Sequence, residues 1–284
     1  MGTARVLDAA LVEDLHHLIL DDGDAGRIAA AITSIGEVTL TGLVEYGCLR
    51  WQQKNLPTLP DRVMQSPLGR AISEAGNSMV RAAIAARSSD EDMKPRQCEF
   101  VFFRSEEDLL SDRLKFFCIR FAKSAQAAGF RESVFHALQA GLDEMMNNAV
   151  QHAHAPAPIV AGYAANAGTA TFVVADVGRG VLESLRSSPK YAHLTGHAEA
   201  VSLAVHDGVT SSDDQGGRGF NDLFKALAEQ WGLLRFRSGN GCYTVDGRGA
   251  NADSGKISFP PPLLGFQVSV SCSTNGSSSS KSVL

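Results

Sequence analysis

Hydrophobic positions along the chain fall into segments of different period. Leu11, Leu15 and Leu18 recur at four- and three-residue spacing with Glu13, Asp14, His16 and His17 between them, which predicts a helix over 8–20. Asp21-Asp22-Gly23-Asp24 interrupts the pattern, and a second helix is expected over 25–33. Val38-Thr39-Leu40-Thr41 is strand-like and leads into a mostly apolar stretch through Trp51. Pro57, Pro60 and Pro67 mark a loop, and 68–87 forms an alanine-rich helical pattern. The polar run from Ser88 to Pro95 has the character of a linker.

Beyond that linker the pattern changes. The run 99–104, with Phe100, Val101, Phe102 and Phe103, predicts a strand. Ser105, followed by Glu106, Glu107 and Asp108, is a helix start with acids at the positive end of the dipole, and this helix is expected to reach about Ala128. A second helix covers 132–152, with Phe135, Leu138, Leu142, Met145 and Ala149 as its apolar stripe. Strands are expected over 159–164 and 169–175, joined by a hairpin turn at Asn166-Ala167-Gly168. A mostly polar stretch of lid length runs over 181–215, and a helix follows from Gly219 to about Gln230. Strands 233–237 and 242–245 flank Ser238-Gly239-Asn240-Gly241, and 266–271 is the last strand. The serine-rich residues 273–284 have the composition of a disordered tail. The division is therefore a helix-rich region over 1–92, an α/β domain over 98–272 and the tail. The domain is expected to be an α/β sandwich, with a mixed, largely antiparallel sheet and helices on one face.

Composition narrows the partners. A net charge of −5 and a pI of about 5.9 supply no general basic footprint for nucleic acid or an anionic membrane. Cys48, Cys98, Cys118, Cys242 and Cys272 are scattered, with no CxxC pair, which argues against a disulfide framework or a zinc site. The opening residues lack a signal-peptide core, and no apolar run approaches the roughly 20 residues that span a bilayer. The expectation is a protein of a reducing, cytoplasmic compartment.

Three short motifs carry the candidate chemistry. Glu144, Asn148 and His152 stand four residues apart and share a helix face distinct from the apolar stripe. A carboxylate and a carboxamide one turn apart can hold hydrated Mg²⁺, which takes hard oxygen ligands and keeps several waters. Asp176 ends a strand and is followed by Gly178 and Gly180, where a carboxylate can accept from an exocyclic amine and glycines admit close backbone approach. Glu183 stands where a dinucleotide fingerprint needs its third glycine, so that reading fails. Gly216-Gly217-Arg218-Gly219 opens a helix, where free N–H groups can bind an anion. His152 and His154 offer a metal pair without a third ligand, and His16-His17 lacks the Ser-His-Glu setting of a phosphoacceptor.

In this order and spacing the motifs resemble the N, G1 and G2 boxes of the GHKL superfamily, the nucleotide-binding fold of gyrase, heat-shock chaperone, histidine-kinase and mismatch-repair ATPase domains. Leu142-Asp143-Glu144-Met145-Met146-Asn147-Asn148 is most similar to the N box of bacterial kinases. The resemblance covers about 98–272 and implies a Bergerat-type sandwich. It implies that Asn148 helps hold Mg²⁺, that Asp176 binds the adenine amine, and that Gly178 and Gly180 shape the adenine pocket and the lid root. Gly217 and Gly219 would contact phosphates, and Glu144 would be the catalytic base or polarising group. The intervening segment, with Glu183, Lys190-Tyr191, Glu199 and Gly208-Val209-Thr210, is similar to stand-alone bacterial ATP-binding proteins of this group. Departures are Gln151 in place of a basic residue, Asn221 in place of a glycine, and Gly265-Phe266 where the family has Gly-Thr. The implied ligands are ATP and Mg²⁺, with a protein partner and a homodimer in view. Transfer to a partner, as in anti-sigma-factor kinases, stands beside two alternatives: an ATP hydrolase acting as a clamp, and a non-catalytic interaction module.

Overall fold

The computed structural model describes residues 4–21, 23–81, 93–206, 223–224, 227, 230–246 and 254–274. The first elements are β1 (Arg5–Leu7), α1 (Ala9–Asp21), α2 (Ala25–Thr33), β2 (Ile35–Val38), α3 (Leu40–Gln52), α4 (Asp61–Met64) and α5 (Pro67–Arg81). β1 and β2 pair in parallel. The strand expected over 38–41 lies earlier, because the Thr39 hydroxyl accepts from the Gly42 amide at 3.0 Å and starts α3 at Leu40. The linker expected over 88–95 lies largely outside the described residues.

The second part comprises β3 (Cys98–Phe103), α6 (Glu106–Leu109), α7 (Asp112–Ala127), α8 (Glu132–His152), β4 (Ile159–Asn166), β5 (Thr169–Ala175), α9 (Gly180–Arg186), α10 (His197–Ala204), β6 (Trp231–Gly239), β7 (Gly241–Asp246), β8 (Lys256–Ser258) and β9 (Leu263–Ser273). The single helix expected from Ser105 to Ala128 is broken in two. Ser105 and Asp108 form a capping box for α6. Ser111 is extended (φ −68°, ψ 146°), and its hydroxyl accepts from Leu114 to start α7. The stretch 181–206, expected as a polar loop, holds α9, a 3₁₀ turn at Pro189–Tyr191 and α10. They enclose a small core of Leu182, Leu185, Tyr191, Leu194 and Ala200.

Seven strands form one sheet in the order β3-β4-β5-β9-β6-β7-β8, every neighbouring pair antiparallel. The strand period of two sorts its residues onto two faces. Phe172, Val174, Leu234, Phe236, Val268 and Val270 pack with Leu114, Phe117 and Phe121 of α7 and Leu138, Leu142 and Met145 of α8. Val173, Ala175 and Phe100 face the other way, in one apolar cluster with Leu11, Leu15, Leu43, Val44 and Leu49 of α1 and α3. The sheet is thus covered on its second face by the N-terminal helices.

Charges are buried within that second layer. Arg235 donates to Glu45 at 2.9 Å and to Glu13 at 2.6 Å, and Arg237 donates to Glu45 at 3.0 Å. The side chains of Arg237 and Glu45 are 0% and 1% exposed. Two arginines on β6 against Glu13 of α1 and Glu45 of α3 balance formally. An arrangement that leaves any of them unpaired is strongly disfavoured. His16 of α1 is also buried here, and burial, with Arg237 beside it, lowers its pKa to about 4, so it is neutral at physiological pH. Among the described residues, no helix is long and apolar enough to cross a membrane.

Candidate nucleotide site

α8 supplies the first group. Its buried stripe of Val134, Phe135, Leu138, Leu142, Met145 and Ala149 fixes the rotation of the helix on the sheet. Glu144 and Asn148 then share another, half-buried face, with the Asn148 amide nitrogen 3.5 Å from Glu144 Oε1. In that orientation the Asn148 carbonyl oxygen and the Glu144 carboxylate are the hard donors of this turn. His152 closes the helix, and its carbonyl accepts from Arg179 Nε at 2.7 Å. Burial lowers the His152 pKa, helped by the neighbouring charge of Arg179. Among the described residues, no group of three or more His, Cys, Asp and Glu side chains could hold a metal ion, so His152 and His154 gain no third ligand.

The second group stands at the end of β5. The Asp176 amide donates to Phe266 O at 3.0 Å, extending the ladder to β9. Asp176 Oδ1 accepts from the Gly178 amide at 2.6 Å. Oδ2 is buried and has no hydrogen-bond partner among the described residues. The residue is 2% exposed. Burial drives its pKa up to about 7, against the opposing pull of the Gly178 and Phe266 backbone hydrogen bonds. An orphaned acceptor in a buried site is a strong recognition element, because leaving it unmet costs about 1–3 kcal/mol. An exocyclic amine is one group that carries a donor of the kind Oδ2 lacks.

The glycines of this turn serve different purposes. At Gly178 a Cβ would lie 2.0 Å from the carbonyl oxygen of Ala153, so the bare backbone lets the turn pack on the end of α8. Arg179 N–H donates to that same carbonyl at 2.9 Å. Gly178→Ala is therefore expected to lower the stability of the ligand-free protein by more than about 2 kcal/mol, measured by urea unfolding. Gly180 begins α9 at φ +76°, a left-handed conformation that favours glycine.

Residues of β6 and β9 pack around the Asp176 turn. Gly265 has φ +72°, and a Cβ there would lie 2.2 Å from the Asp176 carbonyl oxygen and 2.5 Å from Oδ1. Gln267 Nε2 donates to Leu264 O at 2.9 Å and lies 3.4 Å from Asp176 O. The Ser238 hydroxyl donates to Gly265 O at 2.8 Å and accepts from the Val181 amide at 2.9 Å. A glycine just before a strand was the signal for Gly265. Ser238 sits in a segment whose sequence signalled only a turn. The structure thus joins the end of α8, the 176–180 turn, β6 and β9 around Asp176. Gly216, Gly217, Gly219 and Asn221 lie outside the described residues.

The donors present fit a magnesium-bound adenine nucleotide: an orphaned acceptor for the amine, a wall of bare backbone at Gly265, and Glu144 with Asn148 as oxygen donors. Residues 111–241 match the histidine kinase-like ATPase domain family. None of the curated proteins compared matches the chain. The matched span starts at the N-cap of α7 and takes in Glu144, Asn148, Asp176, Gly178, Gly180 and Ser238. The match supports a histidine kinase-like ATPase domain of the GHKL type over residues 111–241.

Proposed function

We propose that the protein is a regulatory Mg-ATP-binding protein that passes the γ-phosphoryl group to a hydroxyl of a protein partner. The observation that carries the nucleotide reading is Asp176, buried with Oδ1 held by the Gly178 amide and Oδ2 without a partner. The ATPase-domain match over 111–241 supports the same ligand. In this reading Asp176 takes the adenine amine, Gly178 and Gly180 shape the pocket, and Gly217 and Gly219 contact phosphates. Asn148 would hold Mg²⁺, which supplies charge neutralisation at the phosphates when bound.

Glu144 is the candidate base. It accepts the proton of the partner's hydroxyl as that oxygen bonds to the γ-phosphorus. The bond from the γ-phosphorus to the β-phosphate bridging oxygen breaks, and ADP leaves. A base positioned in this way contributes about 10²–10⁴-fold. Half-burial of Glu144 on a helix anchored by its buried apolar stripe would hold it steady while leaving it reachable.

Following γ-labelled ATP with wild type and Glu144→Gln tests this. The variant is expected to bind Mg-ATP and to turn it over at least about a hundredfold more slowly. Label on protein supports transfer. Label appearing only as inorganic phosphate moves the assignment to a hydrolase, and nucleotide binding with no turnover in wild type moves it to an interaction module.

A further inference from the structure

The segment Pro261–Gly265, which enters β9 and ends against Asp176, is held by side chains at four of its five residues. Arg237 Nη2 donates to Pro261 O at 2.6 Å. Gln52 Nε2 donates to Pro262 O at 3.1 Å, and Gln52 Oε1 accepts from the Leu264 amide at 3.0 Å. Gln267 holds Leu264 O, and Ser238 holds Gly265 O. Two of these grips lead into the N-terminal layer. Gln52 is the last residue of α3, and Arg237 is paired with Glu45 in the middle of the same helix. Arg237 and Ser238 are consecutive on β6, so they hold the two ends of one segment from opposite faces of a strand.

The Ser238 hydroxyl does a second thing. By accepting from Val181 it ties the first turn of α9, the root of the segment between the glycine boxes, to Gly265. The space beside it is full, since a Cβ on Gly180 would lie 2.8 Å from Ser238 Oγ. A shift of α3 along the sheet therefore moves Pro261–Gly265, and with it the backbone wall that touches Asp176. Burial raises the pKa of the Cys48 thiol, also on α3, and the Asp176 charge adds to the rise.

We propose that Ser238 and Gln52 are positioning residues of the nucleotide pocket, and that through them the N-terminal helical layer sets nucleotide affinity. This rests on the ATP reading above. Coupling of this kind is reciprocal: if seating of α3 tightens ATP, then ATP tightens the seating of α3 by the same factor.

The test uses the full chain. Calorimetry would compare Mg-ATP with inorganic triphosphate, which reaches the phosphate contacts but not the Asp176 pocket, for wild type, Ser238→Ala and Gln52→Ala. Ser238→Ala is expected to lose about tenfold in ATP affinity and Gln52→Ala about threefold to tenfold, with triphosphate binding unchanged in both. Hydrogen exchange on wild type should show ATP slowing the Val181 and Leu264 amides and the last turn of α3. A merely structural role would instead weaken both ligands together and would leave α3 exchange indifferent to ATP. Gln52 is at the surface end of its helix, so Gln52→Ala is expected to fold even if Ser238→Ala does not. ATP affinity at the wild-type value in a folded Gln52→Ala, with no ATP effect on α3 exchange, overturns the proposal. Failure of wild type to bind ATP would instead overturn the nucleotide reading itself, and is seen without any variant.

Discussion

Asp176→Asn is expected to weaken Mg-ATP binding by roughly a hundredfold, about 3 kcal/mol, while leaving the ligand-free protein at least as stable as wild type at pH 8. The geometry forces both results. The Gly178 amide stands 2.6 Å from Oδ1 and needs an acceptor, so the asparagine carbonyl must occupy that position. Its NH₂ then replaces Oδ2, and a donor meets the donor of the adenine amine. The stability half follows from the carboxyl's pKa, which burial lifts from 3.8 to about 7. Between those values the folded chain binds a proton that the unfolded chain has released. The contribution of this group to stability is therefore greatest below about pH 4 and is lost as pH rises through 7. An amide has no charge to desolvate, so the variant gains on wild type at pH 8 and loses that advantage at pH 4. Thermal melts at the two values, with calorimetry at pH 8, check both. Because an accepting carboxylate is the ionised one, ATP binding by wild type should also be tighter at pH 8 than at pH 6. An Asp176→Asn protein that binds ATP normally would remove the central support of the nucleotide reading.

The second large effect is expected at Glu45. Glu45→Ala leaves Arg237, 0% exposed, without its carboxylate and takes from Arg235 one of its two. Breaking a buried pair from one side costs about 3–5 kcal/mol, a large share of the roughly 5–15 kcal/mol that holds a domain together. Urea unfolding followed by far-ultraviolet circular dichroism and by fluorescence of Trp51 in α3 and Trp231 in β6 measures it. A single transition is expected for both signals, shifted together by the substitution, because α1 and α3 share one apolar cluster with the sheet. Two separate transitions, with the sheet signal indifferent to Glu45, would mean that residues 1–92 unfold as an independent domain.

Local signals in the sequence carried much of this architecture. α8 matches its expected bounds because a strict apolar period runs between Arg131 and a stop before Pro156. The 159–175 hairpin was equally legible, since alternation and turn residues are neighbours in the chain. The break between α6 and α7 was hidden, because Leu109, Leu110 and Leu114 continue an apolar pattern through a serine that acts as a second cap. α3 was hidden by Thr39 and Thr41, whose β-branched side chains suggested a strand until the Thr39 hydroxyl is seen capping the helix. Within the site, Glu144, Asn148 and Asp176 could be picked out by residue type and spacing. Gly265 could be seen only as a glycine before the last strand, and Ser238 and Gln52 could not be picked out, since each acts through a contact with a distant segment. Gln52 and Pro262 are 210 positions apart, and nothing local at either end announces the other.

The place of β9 has a consequence for the order of assembly during synthesis. Among the described residues this strand follows every other strand, yet it lies between β5 and β6 near the middle of the sheet. The nascent protein therefore carries two half-sheets, β3-β4-β5 and β6-β7-β8, each with one long unpaired edge, until residues 263–273 emerge. Such edges are templates for wrong partners, including another nascent copy. Asp176 gains its ladder partner Phe266 and its wall at Gly265 only when β9 arrives. The nucleotide pocket is thus finished by the step that joins the two halves, and a chain stalled before that step has no complete pocket.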